Sequence, residues 1–261
     1  MPSLYKKELA AALEAVQRSE QTFRKYFRTR TKVEKKHGNY RDLVSYADKK
    51  IESDIHSYLL KKFPSHGFIG EEGGNVRQDA RYVWVADPID GTSNYLQGVK
   101  SCGICLAMLE YKKPVVGVVS APMLGELYAA CNGGGATVNG VHIRASRTRS
   151  IAQAFGAFGW GRNRSLGKSL AAKLLSEVFK LRVLGSSALS LCYVACGTYD
   201  FAVQADMNLW DYAAAQVVLE EAGGKLIQVE GRAHAIAANP LLAAKLKKFL
   251  GGNEYRDLDI V

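Results

Sequence analysis

The chain has 261 residues, of which 48% are hydrophobic and 23% are charged. This composition predicts an ordinary globular protein and excludes a disordered or fibrous one. Residues 1–12 lack an apolar signal-peptide core, and charged residues or glutamine interrupt every apolar run, so we expect a cytoplasmic protein without a membrane span.

The net charge of +10 is suited to attracting an anionic small molecule. The basic residues are scattered as short doublets rather than gathered in a dense stripe, so nucleic acid is not expected as a partner. Five cysteines are present, and Cys102 and Cys105 form one CxxC pair with no second pair or histidine cluster. We therefore interpret them as reduced core thiols rather than as a zinc or redox site.

Apolar periodicity predicts two helices at the start of the chain, one over 9–27 and a second that begins near Asp48. Runs of β-forming residues predict strands at 82–86, 104–109, 115–119 and 127–130. Pro114, Pro122 and the glycines at 133–135 are interpreted as turns between these strands.

A polar and basic stretch over 144–151 interrupts the apolar pattern. It predicts the boundary between an N-terminal α+β portion with the metal-binding residues, 1–145, and a C-terminal α/β portion, 146–261, packed as one compact unit. The later pattern predicts helices at 166–179, 188–195, 212–222 and after Asn239-Pro240, and a strand at 201–205. The mixture predicts an α+β fold made of layers of helices and sheets.

The stretch Asp87-Pro-Ile-Asp-Gly-Thr-Ser-Asn94 carries the strongest functional pattern. Two carboxylates at the end of a buried strand repel each other unless a cation lies between them. Gly91 permits a sharp turn, and residues 92–94 are good helix openers, so backbone N–H groups become available beside the acids. This combination favours a hard cation such as Mg²⁺ next to a phosphate group.

Further acidic residues stand at the ends of other predicted elements. Glu71 and Glu72 follow a short apolar run, and Asp48 and Asp211 each stand near the start of a predicted helix. Taken singly, the aspartates are good N-caps and the glutamates are ordinary surface charges. Acids at several element ends are also what a multi-cation site assembled from loops requires.

Three ordered motifs resemble the signatures of the inositol monophosphatase family, part of a wider lithium-sensitive, magnesium-dependent phosphatase superfamily. They are Gly70-Glu71-Glu72, the stretch from Trp84 to Tyr95, and Leu209-Trp-Asp-Tyr-Ala-Ala214 followed by Glu221-Ala-Gly-Gly224. Shorter matches at 42–48, 117–122, 126–128 and 139–140 extend the likeness over most of the chain. The resemblance implies a layered αβαβα sandwich of the inositol monophosphatase / fructose-1,6-bisphosphatase type, commonly a homodimer.

By position, the resemblance implies metal ligands at Glu71, Asp87, the carbonyl of Ile89, Asp90 and Asp211. It implies catalytic roles for Thr92, Glu71 and Asp48, with the Thr92 hydroxyl and an acidic partner orienting the attacking water. Asp48 and Glu72 match positions near a weaker third magnesium site. The implied substrate contacts are Asp90, Gly91, Thr92, Ser93, Ser186, Ser187, Gln204 and Asp211.

Hydrolysis of a phosphate monoester needs charge neutralisation, an activated water and a stabilised leaving group, and Mg²⁺ ions held by carboxylates supply all three. No serine, cysteine or histidine nucleophile is evident in the sequence, so we expect in-line attack by a metal-activated water without a phosphoenzyme. The expected activity is a Mg²⁺-dependent phosphomonoesterase acting on a small polyol or sugar phosphate, first of all inositol 1-phosphate. Millimolar lithium is expected to inhibit it.

The choice of substrate stays open at this point. Gln204 stands where typical inositol enzymes have a glutamate, and Asn208 replaces a frequent histidine; a glutamine reads hydroxyl groups as a neutral donor and acceptor. Fructose-1,6-bisphosphatase and histidinol-phosphatase activity on the same metal site are alternatives. A regulatory protein that retains the fold and binds transcription machinery is the alternative of another class, and the intact acidic positions argue against it.

Overall fold

The computed structural model describes residues 4–28, 34–35, 43–44, 46–161, 163–229, 232–251 and 255–257. Residues 42 and 45 of the matched stretch 42–48 lie outside them. The helices of the described residues are α1 (Lys6–Tyr26), α2 (Tyr46–Lys62), α3 (Thr92–Gln97), α4 (Arg164–Glu177), α5 (Ser187–Ala195), α6 (Leu209–Glu221) and α7 (Pro240–Gly251).

The strands described are β1 (Glu34–Lys35), β2 (Leu43–Val44), β3 (Gly67–Gly70), β4 (Tyr82–Asp90), β5 (Gly103–Glu110), β6 (Lys113–Ala121), β7 (Glu126–Cys131), β8 (Ala136–Val138), β9 (Val141–His142), β10 (Phe155–Gly159), β11 (Lys180–Arg182), β12 (Phe201–Ala205), β13 (Lys225–Val229), β14 (Arg232–Ala238) and β15 (Tyr255–Asp257). A seven-stranded sheet has the order β3-β4-β5-β6-β7-β8-β9, with only its β3–β4 pair parallel. A six-stranded sheet has the order β11-β10-β12-β14-β13-β15, in which β11, β10 and β12 are parallel. β1 and β2 pair separately.

Three apolar clusters hold five layers together. Around Trp84, helices α1 and α2 pack on one face of the seven-stranded sheet. Around Val218, helices α5 and α6 fill the space between the two sheets. Around Phe201, helices α4 and α7 cover the outer face of the six-stranded sheet. Burial of apolar surface on both faces of each sheet stabilises this arrangement and confirms the αβαβα sandwich.

Strand β4 is longer than the sequence pattern predicts. The prediction ended it at Ala86, but the strand continues through Pro88 to Asp90. Its register opposite β5 is irregular between Asp87 and Asp90, so the proline, which has no N–H to donate, removes no ladder hydrogen bond there. Both carboxylates therefore belong to the strand itself, which holds them more rigidly than a loop would.

Several other predicted boundaries were wrong. Pro114 lies within β6 rather than in a turn, and the turn before it is made by Tyr111 and Lys112, which both have positive φ. Helix α4 ends before Phe179, and α6 begins at Leu209 rather than at residue 212. Strand β10 was not predicted because its two glycines are typical of a loop; one of them makes room for the Phe201 ring.

The predicted division between residues 145 and 146 falls in the connection from β9 to β10, and the organisation into two portions packed as one compact unit stays a prediction. Cys102 packs in the layer of α1 and α2, whereas Cys105 packs between the two sheets. Because the two thiols lie in different layers, they form no common metal or redox site. Over the described ranges, no helix combines the length and apolar character needed to cross a bilayer.

Candidate active site

Asp87 and Asp90 form the centre of a buried acidic group at the end of β4. Asp87 is 2% exposed and Asp90 is 5% exposed. One Asp87 oxygen accepts a hydrogen bond from the N–H of Ile89 at 3.0 Å. Burial raises the pKa of the Asp87 carboxyl well above its usual range, and the negative charges of Glu71, Asp90 and Asp211 raise it further. We refer to Glu71, Asp87, Asp90 and Asp211 as the acidic cluster.

Asp90 connects the seven-stranded sheet to the start of α5. Its carboxylate accepts hydrogen bonds from the Ser186 hydroxyl and from the backbone N–H groups of Ser187 at 3.2 Å and Ala188 at 3.1 Å. Burial raises the pKa of Asp90 to about 6, while these three hydrogen bonds oppose the rise. An acidic side chain at the first turn of a helix also compensates the helix dipole.

Glu71 follows the end of β3 and reaches Asp87. Its N–H donates to the carbonyl of Ala86 at 3.2 Å, and its negative charge is one of the causes that raise the pKa of Asp87. Glu72, the next residue, donates its N–H to the carboxylate of Glu52 on α2. Glu52 was not among the predicted site residues. It could have been found from its position four residues after Asp48, which places both acids on the otherwise apolar face of α2.

The two acids predicted near helix starts lie inside the first turns of those helices. The N-cap of α6 is Asn208, so the prediction of Asp211 as the N-cap was wrong. Asp211 is the third residue of the helix and accepts from the N–H of Asn208 at 2.6 Å in a capping box. Asp48 is buried in the first turn of α2, and its charge raises the pKa of Tyr95 in α3. Burial is the larger cause of that rise.

The turn after β4 places the Thr92 hydroxyl beside the acids. Gly91 has φ +84°, where an L side chain is strained, and it precedes α3. The Thr92 hydroxyl donates to the carbonyl of Ile89 at 3.1 Å. Asn94 donates to the carbonyls of Ser101 at 2.7 Å and Leu184 at 2.8 Å, a bridge that sequence reasoning did not foresee. Asn94 thus ties the start of α3 to the loop before α5.

The predicted substrate contacts fall in different places. The Ser186 hydroxyl donates a hydrogen bond to the Asp90 carboxylate, and the backbone N–H of Ser187 donates to the same carboxylate. Ser93 is exposed on α3. Gln204 is buried on β12 with its carboxamide over Gly159 of β10, and within the described residues no hydrogen bond joins it to the acidic cluster.

The acidic cluster suits a hard divalent cation by its chemistry. Within the described part of the chain, no group of three or more histidine, cysteine or acidic side chains is arranged so that it could hold a metal ion. The donors are nevertheless all oxygen atoms, as Mg²⁺ prefers. The repulsion that raises the pKa of Asp87 is relieved by a bound cation. The donor atoms and the charge of the acidic cluster therefore fit a divalent metal.

The thiol of Cys102, near Asp90, is not a nucleophile. Burial, followed by the negative charge of Asp90, raises the pKa of Cys102 to about 12, so this side chain stays protonated near neutral pH. A separate groove of about 860 Å³ between α1 and α2 contains none of the predicted site residues. Its polar side chains already bind one another, as in the ion pair of Glu14 with Lys62.

Known proteins resemble this chain along almost its whole length. The model of the inositol monophosphatase family matches residues 5–256. Inositol monophosphatase 2 of Solanum lycopersicum is 35% identical over 243 residues, which cover 89% of this chain and 91% of the plant protein. A fructose-1,6-bisphosphatase/inositol-1-monophosphatase of Aquifex aeolicus (strain VF5) is 35% identical over 188 residues, 70% of this chain and 71% of that protein. The crystal structure of the extragenic suppressor protein suhB from Bartonella henselae has a TM-score of 0.88 at 28% identity and covers 95% of this chain and 100% of that chain.

The layered fold, its acidic cluster and these relatives define the class of the protein, which is a phosphoric monoester hydrolase. The chain belongs to the inositol monophosphatase family, whose members use divalent metal ions.

Proposed function

We propose that the protein is a Mg²⁺-dependent phosphatase of small polyol or sugar phosphates, with inositol 1-phosphate as its preferred substrate. The observation that carries this proposal is the acidic cluster at the end of β4, beside a turn with available backbone N–H groups. The names of the relatives support inositol phosphates as the substrate class.

Mg²⁺ would be held by the carboxylates of Glu71, Asp87, Asp90 and Asp211 and by the carbonyl of Ile89. When bound there, it would neutralise the charge of phosphoryl oxygens and lower the pKa of a bound water. The N–H groups of Gly91 and Thr92 would bind phosphate oxygens.

Thr92 orients the attacking water as an acceptor. Its only hydroxyl proton is donated to the carbonyl of Ile89, so the hydroxyl oxygen is left to accept a hydrogen bond from water. Glu71 is the proposed acidic partner that orients this water together with Thr92. Asp48 is proposed to assist from the first turn of α2. Ser93, Ser186, Ser187 and Gln204 complete the proposed substrate side of the site.

Phosphate release from myo-inositol 1-phosphate tests this proposal. We expect activity with Mg²⁺, none with excess chelator, and inhibition by millimolar lithium. Asp90→Asn is expected to lose at least about 100-fold in kcat. Asp54→Asn is the matched control, because Asp54 is an exposed acid on α2 paired with Lys50. Full activity in chelator would contradict the proposal.

Fructose 1,6-bisphosphate is the second candidate substrate, since the Aquifex aeolicus relative is named for both activities. Comparing kcat/KM for inositol 1-phosphate, fructose 1,6-bisphosphate and histidinol phosphate decides among the candidates. We expect the highest value for inositol 1-phosphate. If the wild type released phosphate from none of them, the regulatory alternative would gain support.

We also propose a homodimer in the cytoplasm. Strand β11 is at the edge of the six-stranded sheet, and the apolar side chains of Leu175, Phe179 and Val183 are exposed near it. Apolar groups beside an open strand edge are typical of an interface. Sedimentation should give twice the mass of the chain, and Phe179→Asp should shift it towards the monomer. A wild type that sediments as a monomer at micromolar concentration would contradict the dimer.

A further inference from the structure

Glu52 is a buried carboxylate outside the acidic cluster, and it accepts hydrogen bonds from two backbone N–H groups. It lies on α2 and is 4% exposed. One carboxylate oxygen accepts from the N–H of Glu72 at 2.8 Å, and the other accepts from the N–H of Gly74 at 2.9 Å. A buried charge is tolerated where hydrogen bonds satisfy it, and such charge-assisted bonds are stronger than neutral ones. Both oxygens of Glu52 therefore hold the same short loop.

The loop from Gly70 to Gly74 is shaped to receive this carboxylate. A Cβ atom on Gly70 would overlap the Glu52 carboxylate, and one on Gly74 would lie 3.0 Å from its oxygen. Gly73 between them has φ +103°, a conformation that L side chains rarely adopt. The glycines thus allow the backbone to approach Glu52 closely.

Glu71 lies between the two points of contact with Glu52. Gly70 precedes it and packs on the carboxylate, while Glu72 follows it and donates its N–H. On the other side, the N–H of Glu71 donates to the carbonyl of Ala86, directly before Asp87. The backbone of Glu71 is therefore fixed from α2 and from β4 together, and its charge acts on Asp87.

We propose that Glu52 is a positioning residue that fixes the loop 70–74 and thereby holds Glu71 beside Asp87 in the acidic cluster. Glu52 acts through the loop and does not touch the substrate. The inference rests on the proposed function in one respect, which is that Mg²⁺ binds at the acidic cluster.

Amide hydrogen exchange in the metal-free protein tests the position of the loop. A glutamine offers one acceptor oxygen in place of two, so Glu52→Gln can keep only one of the two hydrogen bonds. We expect the amide of Glu72 or of Gly74 to exchange at least about tenfold faster in Glu52→Gln, and both amides to do so in Glu52→Ala. Unchanged exchange of both amides in Glu52→Ala would overturn the proposal.

Mg²⁺ binding, measured by calorimetry, tests the consequence for the cation. We expect Kd to rise about tenfold in Glu52→Gln. Ile55→Val is the matched control, because Ile55 is buried on the same helix and packs in the core rather than on the loop. It should lower Tm and leave Kd within about twofold.

The two measurements separate the possible failures. An equal rise of Kd in Ile55→Val, or faster loop exchange without any change of Kd in Glu52→Gln, would overturn the proposed effect on the cation. A wild type that binds no Mg²⁺ would overturn the proposed cofactor and with it this effect. The exchange data, recorded without metal, would then decide the positioning of the loop by themselves.

Discussion

The Ser186 hydroxyl donates a hydrogen bond to the Asp90 carboxylate, although 96 residues separate the two in the chain. The same hydroxyl accepts from the N–H of Leu189 at 3.2 Å and so caps α5. Ser186 therefore holds a proposed metal ligand and begins a helix at the same time. The family resemblance implies that Ser186 contacts the substrate, whereas the structure shows it bound to Asp90. Mutation can separate these two roles.

Ser186→Ala should weaken the cation site more than substrate binding. Loss of the hydroxyl removes one of the three donors that oppose the rise of the Asp90 pKa. We expect the Mg²⁺ concentration for half-maximal activity to rise about 3–10-fold, with KM for inositol 1-phosphate changed less. Ser187→Ala is the control, because Ser187 reaches Asp90 through its backbone N–H. A larger effect on KM than on the Mg²⁺ requirement would favour direct substrate contact.

Asp87→Asn should stabilise the metal-free protein near neutral pH. The raised pKa of Asp87 means that the folded state binds its proton more tightly than the unfolded chain. Stability is therefore greatest below the unfolded pKa of about 3.9 and falls as pH rises through the folded value. The asparagine removes the charge and keeps an acceptor for the N–H of Ile89. In chelator at pH 7.5, Tm should rise by about 2–6 °C, and the further rise that Mg²⁺ gives the wild type should be lost. A lower Tm would contradict this account.

Gly91→Ala should destabilise the fold by about 2–4 kcal/mol in urea unfolding. A Cβ atom there would have φ +84° and would lie 3.0 Å from the carbonyl oxygen of Gly185 and 3.2 Å from that of Ser101. Gly125→Ala is the comparison, since Gly125 has φ +72° but open space around it. It should cost only about 1 kcal/mol, the backbone part alone. Equal losses in both variants would show that crowding at Gly91 is unimportant.

His66 should make the fold less stable in mild acid. Burial lowers its pKa from 6.5, and its ring stacks on Phe63 with centroids 4.8 Å apart. The folded state prefers the neutral imidazole ring. The stability that this preference contributes is complete above the unfolded pKa of His66 and is lost as pH falls from there towards the folded pKa. Between pH 7.5 and 5.5, His66→Phe should lose less of its free energy of unfolding than the wild type in urea unfolding. Parallel losses would exclude His66 as the cause.

Most residues of the acidic cluster could be predicted from the sequence because they lie in short local motifs. Asp87, Asp90 and Thr92 are fixed within one strand and turn, where residue type and spacing decide the geometry. The extension of β4 through Pro88 was missed because it depends on the broken register opposite β5, which is a tertiary feature.

Local sequence patterns could not predict the contacts between distant segments of the chain. Glu52 has the spacing of a core position on α2, and only the folded loop shows that its partners are backbone N–H groups. The place of Gln204 against Gly159 likewise follows from the pairing of β10 with β12. Gln204 was assigned to the substrate by its position in the family resemblance.

The hydrogen-bond donors to Asp90 come from the part of the chain that follows the connection between the two sheets. Asp211, the fourth carboxylate of the acidic cluster, comes from the same part. A chain cut between residues 145 and 146 would leave Glu71, Asp87 and Asp90 on one fragment and Ser186 and Asp211 on the other. Each fragment would also expose the sheet face or the helices that meet around Val218. Catalysis would then require the reassociation of two pieces, and complementation between inactive halves would measure how strongly the middle helical layer binds them together.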